Sequence, residues 1–536
     1  MKKIPWIIPL TIIYLAIGIL TLSDYGFTWD FHHHFFAGAN FLGYSWKQIE
    51  PRPLPYGNPD GRNTIWLPYG PLISIIPVAS FLWFHRFLPD DVSYHLPIVI
   101  VGAFGPLVLY MFLSRSLKNR TTALIAAVFL ALTPRYFADI HNDMKDAPMA
   151  VVFAINVWLL WRLATYRRFG DLLFAAVGFA IAFSTKVNAI FIPILFGIWQ
   201  ISLIRQMRQK WIFSYFLLAP LAAYALWAYF WPDPIGQLKL MFETFGVGTN
   251  NIEVVLAGTW YCSGVNVPWF YPYWYLAITT PLPILLLFPI GLIGLISQIR
   301  KNKVGLLLIL WFFVPLTRYL SPKTGVIDGI RHFEEVVFPI AAIAAVGATN
   351  VFVWLSRSLQ KRNVNTVAVA TLNTFLFFVL VVWLVIPVVR YHPYQITYFN
   401  ELVGGARGAM GRYDLDYWGS SQKKAIEWIN KNVPQGKVVS ILMAPDVAGV
   451  YLRPDLLAKV NSIGYETADY VVVLNRQSFF YRYFFLFDYL LKHQPIHTIS
   501  MGDVPLVWIY DNTKPLRAQP LTPWWTGDDR CINRYW

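Results

Sequence analysis

Along this chain, long apolar runs alternate with short polar breaks. A membrane-spanning helix needs about 20 mostly apolar residues. Eleven stretches fit, at 5–22, 95–113, 119–134, 148–164, 172–186, 188–204, 212–230, 275–298, 304–320, 335–355 and 366–389. A twelfth apolar run, 68–84, opens with Pro68-Tyr69-Gly70-Pro71. Whether it spans is a question of parity, because short cytoplasmic loops collect Lys and Arg. If it lies in the interface or re-enters, six basic segments share one side. These are Lys2/Lys3, Arg115/Lys118/Arg120, Arg167/Arg168, Arg205/Arg208/Lys210, Arg300/Lys301/Lys303 and Arg357/Lys361/Arg362. If it spans, the second of them falls outside. The pattern therefore predicts about eleven spans, N-terminus inside and C-terminus outside. The run Ile4–Leu22 is too long for a signal-peptide core, and Ser23-Asp24-Tyr25 offers no small-residue cleavage site, so it is expected to stay as the first span.

The outer side then carries the irregular segments 23–94, 135–147, 231–274 and 321–334, and everything after Arg390. They are rich in Trp, Tyr and His, the composition of a membrane-interface platform and not of a disordered linker. Function is expected on that side. Residues 1–389 form a transmembrane domain and 390–419 an interfacial segment. The pattern changes at 420–511. Residues 420–432 read as a Ser-capped helix stopped by Pro434. Lys437–Met443, Ala468–Leu474 and Leu506–Tyr510 read as strands, the last with Pro505 just before it, and 478–493 as helical. These make a small extracytoplasmic α/β domain. A Pro- and Trp-rich tail, 512–536, reads as a strap on the membrane surface. No internal repeat of the transporter kind is visible.

Composition agrees with this picture. Of 536 residues, 56% are hydrophobic, 17% aromatic and only 14% charged, against roughly 25% charged in soluble domains. The net charge of +15 would suit a nucleic-acid binder, but such proteins cluster Lys and Arg in polar segments. Here the six inward segments hold 16 Lys and Arg against one acid, Asp171, and account for the whole excess. Orientation explains the charge, and nucleic acid is excluded as a partner. Two cysteines, Cys262 and Cys531, cannot staple a chain this long, and whether they pair is not readable from sequence.

Five outer stretches hold candidate chemistry. In Thr28-Trp29-Asp30-Phe31-His32-His33-His34, Asp30 is placed to meet a head group at the membrane surface, or else to cap a helix over 30–43. Consecutive histidines on a helix point about 100° apart and cannot all face one ion, so interfacial packing or head-group contact is expected of them. Residues 135–148 pack Arg135, Lys145, His141, Asp139, Asp143 and Asp146 between two spans, where such groups are costly. Arg135 and Lys145 can complement a phosphate, and the acids can take protons or hold a divalent ion. Lys186, in Ser184-Thr185-Lys186, either binds phosphate or snorkels to water. Arg331 and His332, in Asp328-Gly329-Ile330-Arg331-His332-Phe333, offer a planar fork and a ring to phosphate oxygens, or an ion pair to a neighbouring acid. Finally His392, Tyr394, Asn400, Glu401, Asp416 and Trp418 can stack on and hydrogen-bond a sugar, or form an ordinary interface belt. No P-loop, Rossmann glycine pattern, G-x-S-x-G, H-E-x-x-H or CxxC occurs. ATP-driven transport, redox-cofactor and zinc-protease chemistry lose support.

These stretches together resemble the GT-C superfamily of membrane glycosyltransferases. The resemblance is to the branch of protein O-mannosyltransferases and lipid A aminoarabinose transferases, and within it to prokaryotic phospholipid carrier-dependent glycosyltransferases. The resembling residues are Thr28-Trp29-Asp30, Pro134-Arg135-Tyr136-Phe137 with His141 and Lys145-Asp146-Ala147-Pro148, Thr185-Lys186, and Asp328–Phe333. His392-Pro393-Tyr394, Tyr398–Gly405 and Asp416-Tyr417-Trp418-Gly419 complete the set, which extends over about three-quarters of the chain. The resemblance implies an all-α polytopic fold, a sugar donor on a polyprenyl phosphate, Asp30 as catalytic base and Asp146 as the second acid. The superfamily usually has Asp-Glu at the first motif, whereas Phe31 follows here, so any role of that Glu is vacant or moved.

The implied reaction is a single inverting displacement outside the cytoplasmic membrane of a prokaryote, with a lipid, glycan or protein as acceptor. Arg135, Lys145, Lys186, Arg331 and His332 are expected on the donor phosphate and lipid. His141, His392, Tyr394, Asn400, Glu401, Asp416 and Trp418 are expected on acceptor or sugar. No cofactor is called for, and a divalent cation stays open. Membrane lipids are the surrounding partners. The rival reading is a transporter or flippase for a lipid-linked sugar. It would place ionisable groups inside spans near the midplane, whereas here they gather in outer loops. A third, an assembly protein, leaves the dense segment 135–148 unexplained.

Overall fold

The structure, a computed structural model, describes residues 6–43, 69–202, 210–247, 249–457, 459, 465–481 and 493–512. The strap expected over 512–536, Cys531 and most of the helix expected over 478–493 lie outside them; Gln477–Tyr481 forms a short 3-10 turn.

Each of the eleven stretches predicted to span carries a helix. Six are long and apolar enough to cross a membrane: Ile7–Asp24, Asp90–Ser116, Asp146–Tyr166, Lys303–Leu320, Arg331–Gln360 and Thr366–Arg390. A seventh is bent, Arg120–Ala131 meeting Pro134–Asn142 at 60°. Shorter apolar helices, Phe169–Phe183, Val187–Ile201, Trp211–Leu226 and Leu282–Ser297, cover the rest. This is a multi-pass membrane protein. Asparagine side chains open several helices where the apolar run begins. Asn119 accepts from the N–H of Thr121 and Thr122, and Asn302 from those of Val304 and Gly305, satisfying donors a helix start leaves orphaned. The segment 135–147, expected as a loop, is helical over Pro134–Asn142. The run 68–84 is helical over Leu72–Phe84 and crosses Phe31–Phe41 so closely that a Cβ at Gly38 would meet the Ser74 carbonyl oxygen at 2.2 Å.

Burial sorts the helices by depth in the bundle. In Asp146–Tyr166 and Arg331–Gln360 about two thirds of the residues of the most apolar stretch are buried, whereas in Thr366–Arg390 only 6% are, so that helix lies at the edge of the bundle. The tightest crossing pairs Leu282–Ser297 with Val337–Gln360. A Cβ on Gly291 would fall 1.8 Å from the Ile343 carbonyl oxygen, and one on Gly347 would fall 2.1 Å from that of Leu287. Glycine on both helices lets the backbones touch, the usual basis of association where no hydrophobic force separates helix from lipid.

Two sheets lie at the end of the bundle where Asp30 emerges. Within 231–274, strands β1 (Glu253–Leu256) and β2 (Thr259–Cys262) form a hairpin through Ala257 and Gly258, both at positive φ; its strands are only four residues long and Ala-Gly is not a strong hairpin signal, so the sequence did not announce it. Cys262 is disulfide-bonded. Among the described residues the α/β domain has four strands: β3 (Val439–Leu442), β4 (Tyr470–Leu474), β5 (His497–Met501) and β6 (Val504–Asp511), in the order β3-β4-β6-β5. β3 and β4 are parallel and the other pairs antiparallel. The helix Gln422–Asn432 packs Ala425, Ile426 and Ile429 on this sheet. Three details differ from expectation. β5 is an added strand, its polar His-Thr-Ile-Ser-Met run having hidden it. Pro505 lies inside β6, opposite Ser500 at a bulge, where its missing N–H costs no ladder bond. The helix start is not capped by Ser421. Asp416 instead accepts from the N–H and hydroxyl of both Ser420 and Ser421, at 2.6–3.0 Å.

Candidate active site

Segments far apart in the sequence meet at one cleft. Asp30 precedes the helix Phe31–Phe41 but makes no capping hydrogen bond with its side chain, so the capping reading is not the one the structure adopts. Its carboxylate is instead held by two cations, the Lys145 ammonium and the Arg331 guanidinium, the latter at 3.1 Å. The side chain is 26% exposed, on the wall of a cavity of about 330 Å³. Burial alone would push this carboxyl up, but Lys145 and Arg331 outweigh it and hold Asp30 well below the usual carboxylate range. Burial likewise opposes the Lys145 charge, and Asp30 more than restores it, leaving Lys145 above its ordinary value.

The segment 143–146 is shaped for this. Asp143 Oδ1 accepts from the backbone N–H of Lys145 and of Asp146, both at 2.9 Å, folding the chain into a turn that opens the helix Asp146–Tyr166. That turn sends Lys145 toward Asp30 and Asp146 toward Lys186, whose ammonium it binds. Burial, with Asp146 and Asp139 nearby, raises the Asp143 carboxyl well above its ordinary value. Aromatic faces surround the cations. The Arg331 guanidinium lies 4.5 Å from the Trp418 ring centre, and Lys145 sits between Tyr69 and Trp418 at 5.7 and 5.8 Å. Such cation–ring contacts strengthen as water is excluded.

Asp328 completes the frame. It adopts φ +57°, a left-handed conformation Asp takes more readily than most residues, ahead of Gly329 at φ +66°. It binds Arg331 at 2.8 Å and, on its other oxygen, Arg476 at 2.6 Å. Arg476 comes from the α/β domain, immediately after β4 and Asn475. Arg318 also lines the cavity, donating to Asn188 Oδ1 at 3.1 Å.

Of the residues singled out from sequence, Asp30, Lys145, Lys186, Arg331, His332 and Trp418 line this cavity, and Asp146 lies against it through Lys186. The three histidines diverge. His32 meets Asp446 at 3.2 Å, His34 meets Ser74 at 3.1 Å, and His33 and His34 both border the cavity. Burial and the Lys145 charge push His34 down to about 3, so its ring is neutral. The remaining residues are placed elsewhere. Arg135 is fully buried behind the cavity, donating to the Tyr398 carbonyl at 3.2 Å and stacking on Phe399 at 5.0 Å. His141 stacks on Tyr25 at 4.2 Å, beside His392, which meets Asp24 at 2.9 Å, at the outlet of the first span. Tyr394, two residues on from His392, is buried. Asn400 donates to the carbonyls of Ala277 and Thr280. Glu401 lines a separate groove of about 680 Å³ beside Thr366–Arg390, and Asp416 is used up by its serines. Among the described residues no group of three His, Cys, Asp or Glu side chains is arranged to hold a metal ion.

Tyr69, Asp328, Arg318 and Arg476 were not among the sequence candidates for the site. Asp328 lay inside a quoted motif and Tyr69 in the opening Pro68-Tyr69-Gly70-Pro71 of an apolar run; Arg318 and Arg476 carry no local signal, since each is a lone polar residue whose position depends on distant packing.

The structure thus joins a bundle of apolar helices, a cation-lined cavity at one end and a small α/β domain beside that cavity, and known proteins resemble it in sequence and in fold. The model of the family described as dolichyl-phosphate-mannose-protein mannosyltransferase matches residues 82–230. The fold is that of ArnT from Cupriavidus metallidurans, whose crystal structures bound to undecaprenyl phosphate and in the apo state each superpose with a TM-score of 0.50. In both, the alignment covers 96% of this chain and 99% of that one at 13% identity. No curated protein matches the sequence.

Proposed function

We propose that the protein is a glycosyltransferase that moves a sugar from a polyprenyl-phosphate carrier to an acceptor on the extracytoplasmic side of a prokaryotic cytoplasmic membrane. The observation that carries this is the pairing of Asp30 with Lys145 and Arg331 on the wall of a cavity that Lys186 also lines. A carboxylate and several cations within reach of one another match what the reaction requires, a base for the acceptor and countercharge for a leaving phosphate. The ArnT structure with undecaprenyl phosphate supports a carrier of that class.

The donor phosphate competes with Asp30 for Lys145 and Arg331. As those cations turn to the phosphate, Asp30 loses the partners that depress its pKa and becomes a better base. It takes the acceptor's proton while the acceptor atom attacks the anomeric carbon. The bond from that carbon to the phosphate oxygen breaks with inversion, and the polyprenyl phosphate departs with its new charge on Lys145, Lys186 and Arg331. Preorganised cations of this kind are worth about 3–4 kcal/mol each to the transition state. Asp146 holds Lys186 in place, Trp418 supplies the face on which Arg331 rests, and His332 borders the same wall. The acceptor is a lipid, glycan or protein.

Purified protein in detergent should be incubated with polyprenyl-phosphate mannose, glucose and aminoarabinose in the presence of membrane extract. Mass spectrometry should show free polyprenyl phosphate appearing from one donor. Intact donor in every case, with donor bound, would support the flippase reading instead.

A further inference from the structure

We infer that Arg476 of the α/β domain is a positioning residue for the cations that receive the donor phosphate. This rests on the transferase reading only for what the phosphate is attached to. The α/β domain hands Arg476 to the cavity on a rigid mount. The preceding Asn475 donates its N–H to the Leu506 carbonyl at 2.8 Å and its side-chain amide to the Pro505 carbonyl at 2.7 Å, tying the end of β4 to β6. Just beyond, the Ser478 N–H donates to Asp414 at 2.8 Å. The guanidinium between these anchors is 4% exposed and packs on Phe479 at 3.9 Å and Trp29 at 4.7 Å. It donates to the Tyr417 carbonyl at 3.1 Å and to Asp328 at 2.6 Å.

Asp328 is the link. One of its oxygens is taken by Arg476 and the other by Arg331, and Arg331 has its other terminal nitrogen on Asp30. The charges alternate along a single line, Arg476, Asp328, Arg331, Asp30, Lys145. A guanidinium is a planar fork, so fixing one prong fixes the direction of the other. Without Arg476, Asp328 keeps one partner instead of two, its carboxylate can turn with Arg331, and the prong aimed at Asp30 loses its reference. A guanidinium needed only to fasten the domain to the bundle would have no reason to bind the carboxylate that also holds Arg331. Arg476 also borders the cavity, and its Nε has no hydrogen-bond partner among the described residues. The domain whose role the sequence left blank thereby supplies part of the site's frame.

The test measures binding of undecaprenyl phosphate to the full-length protein in detergent by native mass spectrometry, with thermal unfolding as the check on folding. Arg476→Ala should bind about tenfold more weakly, the size of one lost charge-assisted contact, and Arg476→Lys should fall between it and wild type. Asp328→Asn should weaken binding similarly, and the double variant Arg476→Ala/Asp328→Asn should be no weaker than Asp328→Asn alone, since both act through one link. Lys437→Ala, which breaks an ion pair on the far side of the same domain, should bind like wild type. Wild-type affinity in a folded Arg476→Ala, or additive losses in the double variant, would overturn the inference. If Arg476→Ala does not fold, Arg476→Lys with Asp328→Asn carries the same cycle. A wild-type protein that binds undecaprenyl phosphate yet releases none from any sugar donor refutes the transferase reading and leaves this result standing.

Discussion

Asp30 sits between Lys145 and Arg331, and what its carboxyl can do follows from which of them it keeps. With both in place it is ionised far into acid, its folded pKa lying well below the ordinary value despite burial. The other titratable groups that feel its charge include His33, His34, Tyr69 and Tyr94, and the buried His34 is neutral. Removing one cation should therefore raise the carboxyl. In Lys145→Met, the acid limb of kcat/KM should move to higher pH than in wild type, and a limb that stays put would mean that Asp30 is not the group being titrated. The pair Lys186–Asp146 lends itself to a different separation. Both side chains are almost fully buried, and breaking such a pair from one side costs about 3–5 kcal/mol because a charge is left alone. Lys186→Met should lower the unfolding temperature, and adding Asp146→Asn should recover most of it while donor binding stays weak. Recovery of binding along with stability would make Lys186 a structural residue. At this scale the sequence was informative where charge is expensive. Lys145, Asp146, Lys186 and Arg331 stood out because ionisable groups beside spans need a reason. Arg135 stood out for the same cause, but its reason proves to be the Tyr398 carbonyl and the Phe399 ring behind the cavity. Arg476 did not stand out, because nothing beside it in the chain marks it; only the docking of a distant domain brings it to Asp328.

The apolar runs gave the spanning helices directly, since some 20 apolar residues in a row permit few other structures. Shorter elements depend on partners the run does not contain. β5 is mostly polar and exists because β6 pairs with it, and the hairpin β1–β2 turns on Ala257 and Gly258. The start of Gln422–Asn432 shows the same dependence: the serines that looked like caps donate to Asp416, which was itself expected on a sugar. One element-level contact allows a sharp prediction. The backbones of Leu282–Ser297 and Val337–Gln360 meet at Gly291 and Gly347, and the second helix is continuous with the segment that carries Arg331. Gly291→Leu should separate the helices, lower the unfolding temperature and reduce transfer together. Gly197→Leu, where an added Cβ would meet only the tip of Phe216 at 3.6 Å, should leave both nearly unchanged.

Taken whole, the molecule assembles its site from the outlet of the first span, the turn before Asp146, the end of Phe169–Phe183, the approach to Val337–Gln360 and the loop after β4. Loops carried on a rigid scaffold are where such sites are usually built, and here the scaffold is the helix bundle on one side and a sheet on the other. Each part contributes something different. The bundle faces lipid, the cavity holds opposed charges, and the α/β domain braces one of the cations. The claim on which all of this turns is that Asp30 is the base. It is tested most directly by comparing wild type with Asp30→Asn for release of free polyprenyl phosphate from the sugar donor, followed by mass spectrometry at equal protein. The account predicts that Asp30→Asn is expressed and folded, still binds undecaprenyl phosphate, and releases it at least about 100-fold more slowly. Near-wild-type release from the Asn variant would contradict it.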